Sequence, residues 1–191
     1  MKVNIGAVPY MYPVPIVLVG ALVEDAPNFV TIGDCGLMGI RPPLVFVSSH
    51  RDHYTNQGIL ANQAYSINLP TTNMLTITDY CGTVSGQDVD KGALFETFYG
   101  ALGTAPLIAR CPVNLACRVV KEFCIEHRQI FVGEVVETFV SEQYVVERNG
   151  KREVADLMQL DPILYALDNR YYRVGAPIGI GYAEARKFTS D

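Results

Sequence analysis

The stretch Ser48-Ser49-His50-Arg51-Asp52-His53-Tyr54-Thr55 gathers hydroxyls and a guanidinium where an apolar run gives way to a helix-like segment. Such a loop suits a phosphate, because its donors converge and the first N–H groups of a following helix favour negative charge. The same residues also make an ordinary capped loop with a surface arginine, and the sequence leaves both readings open. His50 and His53 stand three apart, which on a strand turns them to opposite faces. No third ligand lies near them, and Cys35 would reach them only through the fold, so no metal site is expected. Other routes to a nucleotide are missing. There is no Walker A loop, and Gly33-x-x-Gly36-x-x-Gly39 has the wrong spacing for a dinucleotide turn. Further along come Asn68-Leu69-Pro70, Asp79-Tyr80-Cys81-Gly82-Thr83-Val84-Ser85-Gly86 and Asp90-Lys91. Alone, these read as turn residues, a cysteine acting as a small buried hydrophobe, and a solvated lysine. His127, between two apolar runs, is either an exposed hairpin residue or a donor at the lip of a pocket.

These groups need a scaffold, and the hydropathy pattern gives one made mostly of strands. Apolar runs at 16–23, 29–33, 44–48 and 65–69 are broken by Glu24-Asp25-Ala26-Pro27, Pro42-Pro43 and Pro70. Residues 113–125 and 130–140 read as long strands, the first with Leu115, Cys117 and Val119 on one side and Asn114, Arg118 and Lys121 among the others. The run 144–148 ends at Asn149-Gly150, a tight-turn signal, and 163–167 and 171–174 flank a turn at Asp168-Asn169-Arg170. One helix is capped by Thr55, with Ile59 and Leu60 on one side and Asn56 and Gln63 outside. Another is capped by Thr72, with Leu75, Ile77 and Tyr80 as apolar positions and Gly82 as its stop, and a short helix fits 90–95. Many short strands with helices in the crossovers predict a single, mainly β domain over 1–191, a closed or half-closed barrel.

Composition limits the classes of function. In 191 residues, 49% hydrophobic and 18% charged is the balance of a globule with a core, not of a disordered chain. The formal net charge is −5 and no basic run exceeds two residues, so neither nucleic acid nor a membrane surface is an expected partner. The apolar segment 13–23 is too short to span a bilayer and lacks the pattern of a signal peptide; a buried strand accounts for it. Five cysteines without a CxxC pair point to reduced thiols and a cytoplasmic setting.

Taken in order, several segments resemble one family over nearly the whole chain. They are Pro15-Ile16-Val17-Leu18-Val19-Gly20-Ala21, Pro27-Asn28-Phe29-Val30-Thr31-Ile32-Gly33, Pro42-Pro43, Arg51-x-x-x-Thr55, Asn68-Leu69-Pro70, Asp79-Tyr80-Cys81-Gly82-x-x-Ser85-Gly86, Asp90-Lys91, His127 and Tyr171-Tyr172-Arg173-Val174-Gly175. Together they resemble the flavin reductase-like, FMN-binding split-barrel family, and within it the flavoredoxin branch. The resemblance implies a mainly β fold with helices, a six-stranded split β-barrel of Greek-key type that forms a homodimer. It implies FMN held non-covalently near the subunit interface, and hydride taken from NADH or NADPH and passed as electrons to a flavin or redox-protein acceptor. By the resemblance, Asn28, Thr31, Ile32, Gly33 and Cys35 run along the isoalloxazine ring, and Ser48, Arg51, Thr55 and Lys91 surround the phosphate or ribityl chain. Asn68 sits at a strand end near the flavin, Tyr165 and Tyr171 pack near it, and His127 lies close to the ring and the nicotinamide. His127 is the expected catalytic residue, as a hydrogen-bond donor rather than an obligatory acid. Asp34 departs from the family, where Trp or another bulky residue is common; an acid there would repel an anionic reduced ring, lower its potential, or point away. Two other functions remain open: an electron carrier reduced by a protein partner, and a non-enzymatic barrel that binds flavin or haem.

Overall fold

Seven strands build one antiparallel sheet in the computed structural model, which describes residues 1–188. They are β1 (Val17–Val23), β2 (Ala26–Ile32), β3 (Cys35–Ile40), β4 (Pro43–His50), β5 (Ala64–Leu69), β6 (Val113–Ile125) and β7 (Arg128–Val140). Their spatial order is β2-β1-β5-β6-β7-β4-β3. Val17, Val19 and Ala21 of β1 meet Val30 and Ile32 of β2, Val45 and Val47 of β4, Tyr65 and Ile67 of β5, Cys117 of β6 and Phe131 of β7 in one cluster. Strands from the two halves of the sheet share a core only because the sheet curls around it. Its end strands, β2 and β3, are not hydrogen-bonded to each other, so the curl stays open. Gly133, beside a bulge in β7, makes room for the ring of Tyr65: a Cβ there would lie 2.5 Å from the phenol oxygen.

The sheet holds seven strands where six were expected. The added one is β3, whose Leu37, Met38 and Ile40 are exposed on a sheet edge, so that it shows no in–out alternation to read. The turn before β2 is also tighter than expected: Glu24 and Asp25 alone make it, both with positive φ (50° and 65°), and pairing resumes at Ala26. Pro27 is tolerated because β2 is an edge strand.

Two helices pack on the curled sheet. Helix α1 (Thr55–Asn62) lies so close to β1 that a Cβ on Gly58 would be 2.2 Å from the Leu22 carbonyl oxygen. Its burial is not the expected one: Asn56, which ties down the preceding turn, is buried, and Leu60 is 41% exposed. Thr55 is the first helical residue, and no side chain caps the helix. Helix α2 (Leu75–Thr83) follows a 3₁₀ turn at Thr72–Met74 and buries Met74, Thr78 and Cys81, spaced by four and three, while Tyr80 faces outward. Met74 and Cys81 join Leu18, Phe29, Ile108 and Cys111 in a second core on the outer face of β1 and β2. The expected helix at 90–95 is a single 3₁₀ turn, Gly92–Leu94. The predicted hairpin at Asn149-Gly150 forms between Val145–Arg148 and Lys151–Val154. Leu164–Ala166 and Arg170–Tyr172 pair in a small sheet with Val14–Pro15.

Candidate functional site

The end of β4 sets the position of the first polar groups. After His50 the chain turns through 51–54 into α1, and the turn is fixed by its own backbone. His53 N–H donates to the His50 carbonyl at 3.0 Å, and Asn56 Nδ2 donates to the same carbonyl at 2.8 Å. This sets Thr55 against β2, where Asn28 Nδ2 donates to Thr55 Oγ1 at 2.7 Å. Both side chains are buried. From the other side, the segment after α2 passes over Asn28 so tightly that a Cβ on Gly86 would be 2.2 Å from Asn28 Oδ1. Lys91 enters ahead of the Gly92–Leu94 turn and donates from Nζ to the Cys81 carbonyl at 2.8 Å. The result is a cavity of about 210 Å³ lined by Asn28, His53, Thr55, Ser85, Gly86 and Lys91, among others.

The electrostatics of this cavity are unbalanced toward donors. Lys91 is only 3% exposed, yet no carboxylate among the described residues lies within ion-pair distance of it. An ammonium has three N–H donors, and the Cys81 carbonyl occupies one. Burial lowers the Lys91 pKa, with the Cys81 thiol opposing the shift. Burial also lowers the His53 pKa, and His50 and Lys91 push it the same way, so His53 is neutral at physiological pH. The Thr55 hydroxyl accepts from Asn28 and keeps its own proton to give. Among the described residues, the backbone N–H groups of Ser85 and Gly86 have no acceptor within the chain. A buried cation with neutral donors and a glycine cradle is the donor set an oxygen-rich anion requires. The non-covalent FMN of the sequence analysis fits that requirement.

The expected site residues are dispersed over several places. Asn28, Thr55 and Lys91 come together in the cavity just described. Arg51 and His127 lie instead around an open hollow of about 600 Å³ with His50, Asp52 and Glu126, where Arg51 N–H donates to the His127 carbonyl at 3.0 Å. The His50 ring is 5.4 Å from that of His127 and 6.0 Å from that of His53, so all three histidines of the chain gather here. Asp52 borders both spaces, which places the hollow beside the cavity. Ser48 and Asp34 face each other across the β3–β4 pair and share the guanidinium of Arg128. Thr31 donates to the Thr78 carbonyl of α2, Ile32 is core, and Gly33 lies against Ile16. Cys35 is half-buried; burial raises its thiol to about 11, so it is not a thiolate at neutral pH.

The rings of Tyr165 and Tyr171 lie 5.3 Å apart, tilted by 53°, in the small sheet, and the Tyr171 hydroxyl donates to Asp79. Tyr171 lines a different hollow, of about 240 Å³, with Thr72, Leu75 and Arg173. Asn68 is not at a cavity. It is fully buried, donates to the Leu18 carbonyl (3.0 Å) and Ser66 Oγ (2.9 Å), and accepts from Ile108 N–H (2.9 Å) and Asn114 Nδ2 (2.8 Å). Its hydrogen-bonding capacity is filled by the fold. The sequence reading missed His53 as a cavity residue and Arg128 altogether. The Ser85-Gly86 pair carried a signal for the loop, since only a glycine passes that close to Asn28.

The chain matches the flavin reductase like domain over residues 10–174. The flavoredoxin of Methanosarcina acetivorans is 38% identical, with a TM-score of 0.91 and 98% of each chain covered. The flavoredoxin of Desulfovibrio vulgaris (Miyazaki F) is 28% identical, with a TM-score of 0.86, over 97% of this chain and 100% of that one. An FMN-binding protein of Thermus thermophilus, 22% identical, has the same fold, with a TM-score of 0.73 over 93% of this chain and 99% of that one.

Proposed function

The chain belongs to the flavin reductase-like family, a family of flavin-related oxidoreductases, and on that premise we propose that it binds FMN non-covalently and passes electrons from NADH or NADPH to an acceptor. The observation that carries the reading is the buried, unpaired ammonium of Lys91 facing a cavity with Thr55 and Asn28. Those three residues hold oxygen atoms of the cofactor; Arg51, His50 and His127 border the adjoining hollow where an anionic donor is received. The Gly33-Asp34 turn lies along the ring, as the family resemblance implies. Bound FMN supplies the hydride-accepting ring, and the chain supplies its placement and its surrounding dipoles. His127 acts as a hydrogen-bond donor to flavin or nicotinamide.

The open edge between β2 and β3 is the split of a split barrel. The exposed Leu37, Met38 and Ile40 on that edge support a homodimer, because an apolar edge strand needs cover. All five cysteines are free, which supports a reducing, cytoplasmic setting. No helix among the described residues is long and apolar enough to cross a membrane.

The test is direct. Apoprotein titrated with FMN should bind one flavin per chain, and NADH or NADPH added without air should bleach the flavin absorbance. Binding without bleaching would replace this reading with that of a carrier reduced by a protein partner. No binding at all would end both.

A further inference from the structure

One guanidinium fastens three segments of this region, and no motif announced it. Arg128 opens β7 and stands opposite His50 in the ladder. Its Nε donates to Ser48 Oγ at 3.2 Å and its Nη2 to the Ser48 carbonyl at 3.1 Å. The same Nη2 forms an ion pair with the carboxylate of Asp34. Asp34 is tied to the same place through its backbone, since Ser48 N–H donates to the Asp34 carbonyl at 2.7 Å. Thus the Gly33-Asp34 turn, the end of β4 and the β6–β7 turn are joined at a single side chain. The guanidinium is 29% exposed and the Asp34 carboxylate 60%, so the join lies at the rim, where water and salt screen the pair.

Asp34 is the one acidic residue of the segment 31–35, and an unpaired acid there would face any anion that forms on the ring. Arginine answers both needs, because its rigid planar fork spreads its donors over a hydroxyl, a carbonyl and a carboxylate, whereas a lysine presents its three from a single nitrogen. We propose that Arg128 is a positioning residue for bound FMN: it neutralises Asp34 and fixes the Gly33-Asp34 turn, so that the reduced, anionic flavin is tolerated. This rests on the reading that FMN lies along residues 31–35.

The test uses the whole protein in four forms: wild type, Arg128→Met, Arg128→Lys, and Arg128→Met combined with Asp34→Asn. Dissociation constants for oxidised and reduced FMN, and the flavin midpoint potential, are measured for each. Arg128→Met should weaken reduced FMN about two- to fivefold more than oxidised FMN, the scale of one partly exposed ion pair, and so make the potential more negative. Adding Asp34→Asn should restore the potential, because the uncompensated charge is gone. Arg128→Lys, which keeps the charge without the fork, should keep a potential near that of wild type even if affinity falls. If wild type binds FMN and Arg128→Met leaves the affinity ratio and potential unchanged, the inference is wrong. If the double variant stays as negative as Arg128→Met, the residue is structural only. A wild-type protein that binds no FMN would overturn the flavin reading itself, and this inference with it.

Discussion

Replacing Lys91 by methionine separates two roles the structure gives one ammonium. Lys91 Nζ donates to the carbonyl of Cys81, in the last turn of α2, where backbone carbonyls lack helical partners and a cation is favourable. That is a capping role, and its loss alone would reduce apoprotein stability by up to about 1 kcal/mol. The same ammonium is 3% exposed and faces the cavity with two N–H groups to spare. Burying it opposes folding in the absence of a ligand, and a methionine of similar length removes that opposition. The two effects offset, so the apoprotein should melt within a few degrees of wild type. FMN binding should suffer more. One charge-assisted hydrogen bond contributes about 1.5–3 kcal/mol, which is roughly a 10- to 150-fold rise in the dissociation constant. Quenching of flavin fluorescence during titration of apoprotein measures it, alongside thermal melting without flavin. A lower melting temperature with unchanged FMN affinity would show Lys91 to be only a helix cap, and the cavity would lose its claim to the cofactor. The pH dependence gives a second check. The folded-state pKa of Lys91 lies below its ordinary 10.5, so just below pH 10.5 the unfolded chain binds more protons. Apoprotein stability from this group therefore rises with pH through that window, and Lys91→Met should remove the rise.

Two further outcomes follow from other parts of the site. Asn68→Leu strips partners from the Ile108 N–H, the Asn114 amide and the Leu18 carbonyl, all within the protein, and should lower stability by at least about 3 kcal/mol in urea unfolding. The protein that still folds should bind FMN as wild type does; a selective loss of flavin would return Asn68 to the site. His53 has a folded pKa below 6.5, so its contribution to apoprotein stability is complete above pH 6.5 and declines as pH falls toward the folded value. His53→Gln should flatten that acid limb in melting curves taken between pH 5 and 7, a range about the ordinary histidine pKa; an unaltered limb would assign it to other groups.

The long strands β6 and β7, the Asn149-Gly150 hairpin and the existence of α1 and α2 were all legible, because hydrophobic period and turn residues are local properties of the chain. The family pattern was legible too, since it is a sequence of residue types in order. Which helix face turns inward was not. Asn56 is buried because its amide donates to the carbonyls of His50 and Arg51, and only the folded turn brings those carbonyls within its reach. Strand β3 was hidden because edge position, not alternation, holds it in the sheet. The same limit governs the site. Residue identity marked Asn28, Thr55 and Lys91 as polar groups of interest, but placed Asn68 among them with equal force. Tertiary structure separates them by hydrogen-bonding state: Asn68 has every hydrogen bond met by its own chain, while Lys91, buried without a counter-ion among the described residues, still has donors to give. Whether a polar group is satisfied depends on what the rest of the fold brings within 3 Å or so of it, and no reading of a linear sequence contains that distance.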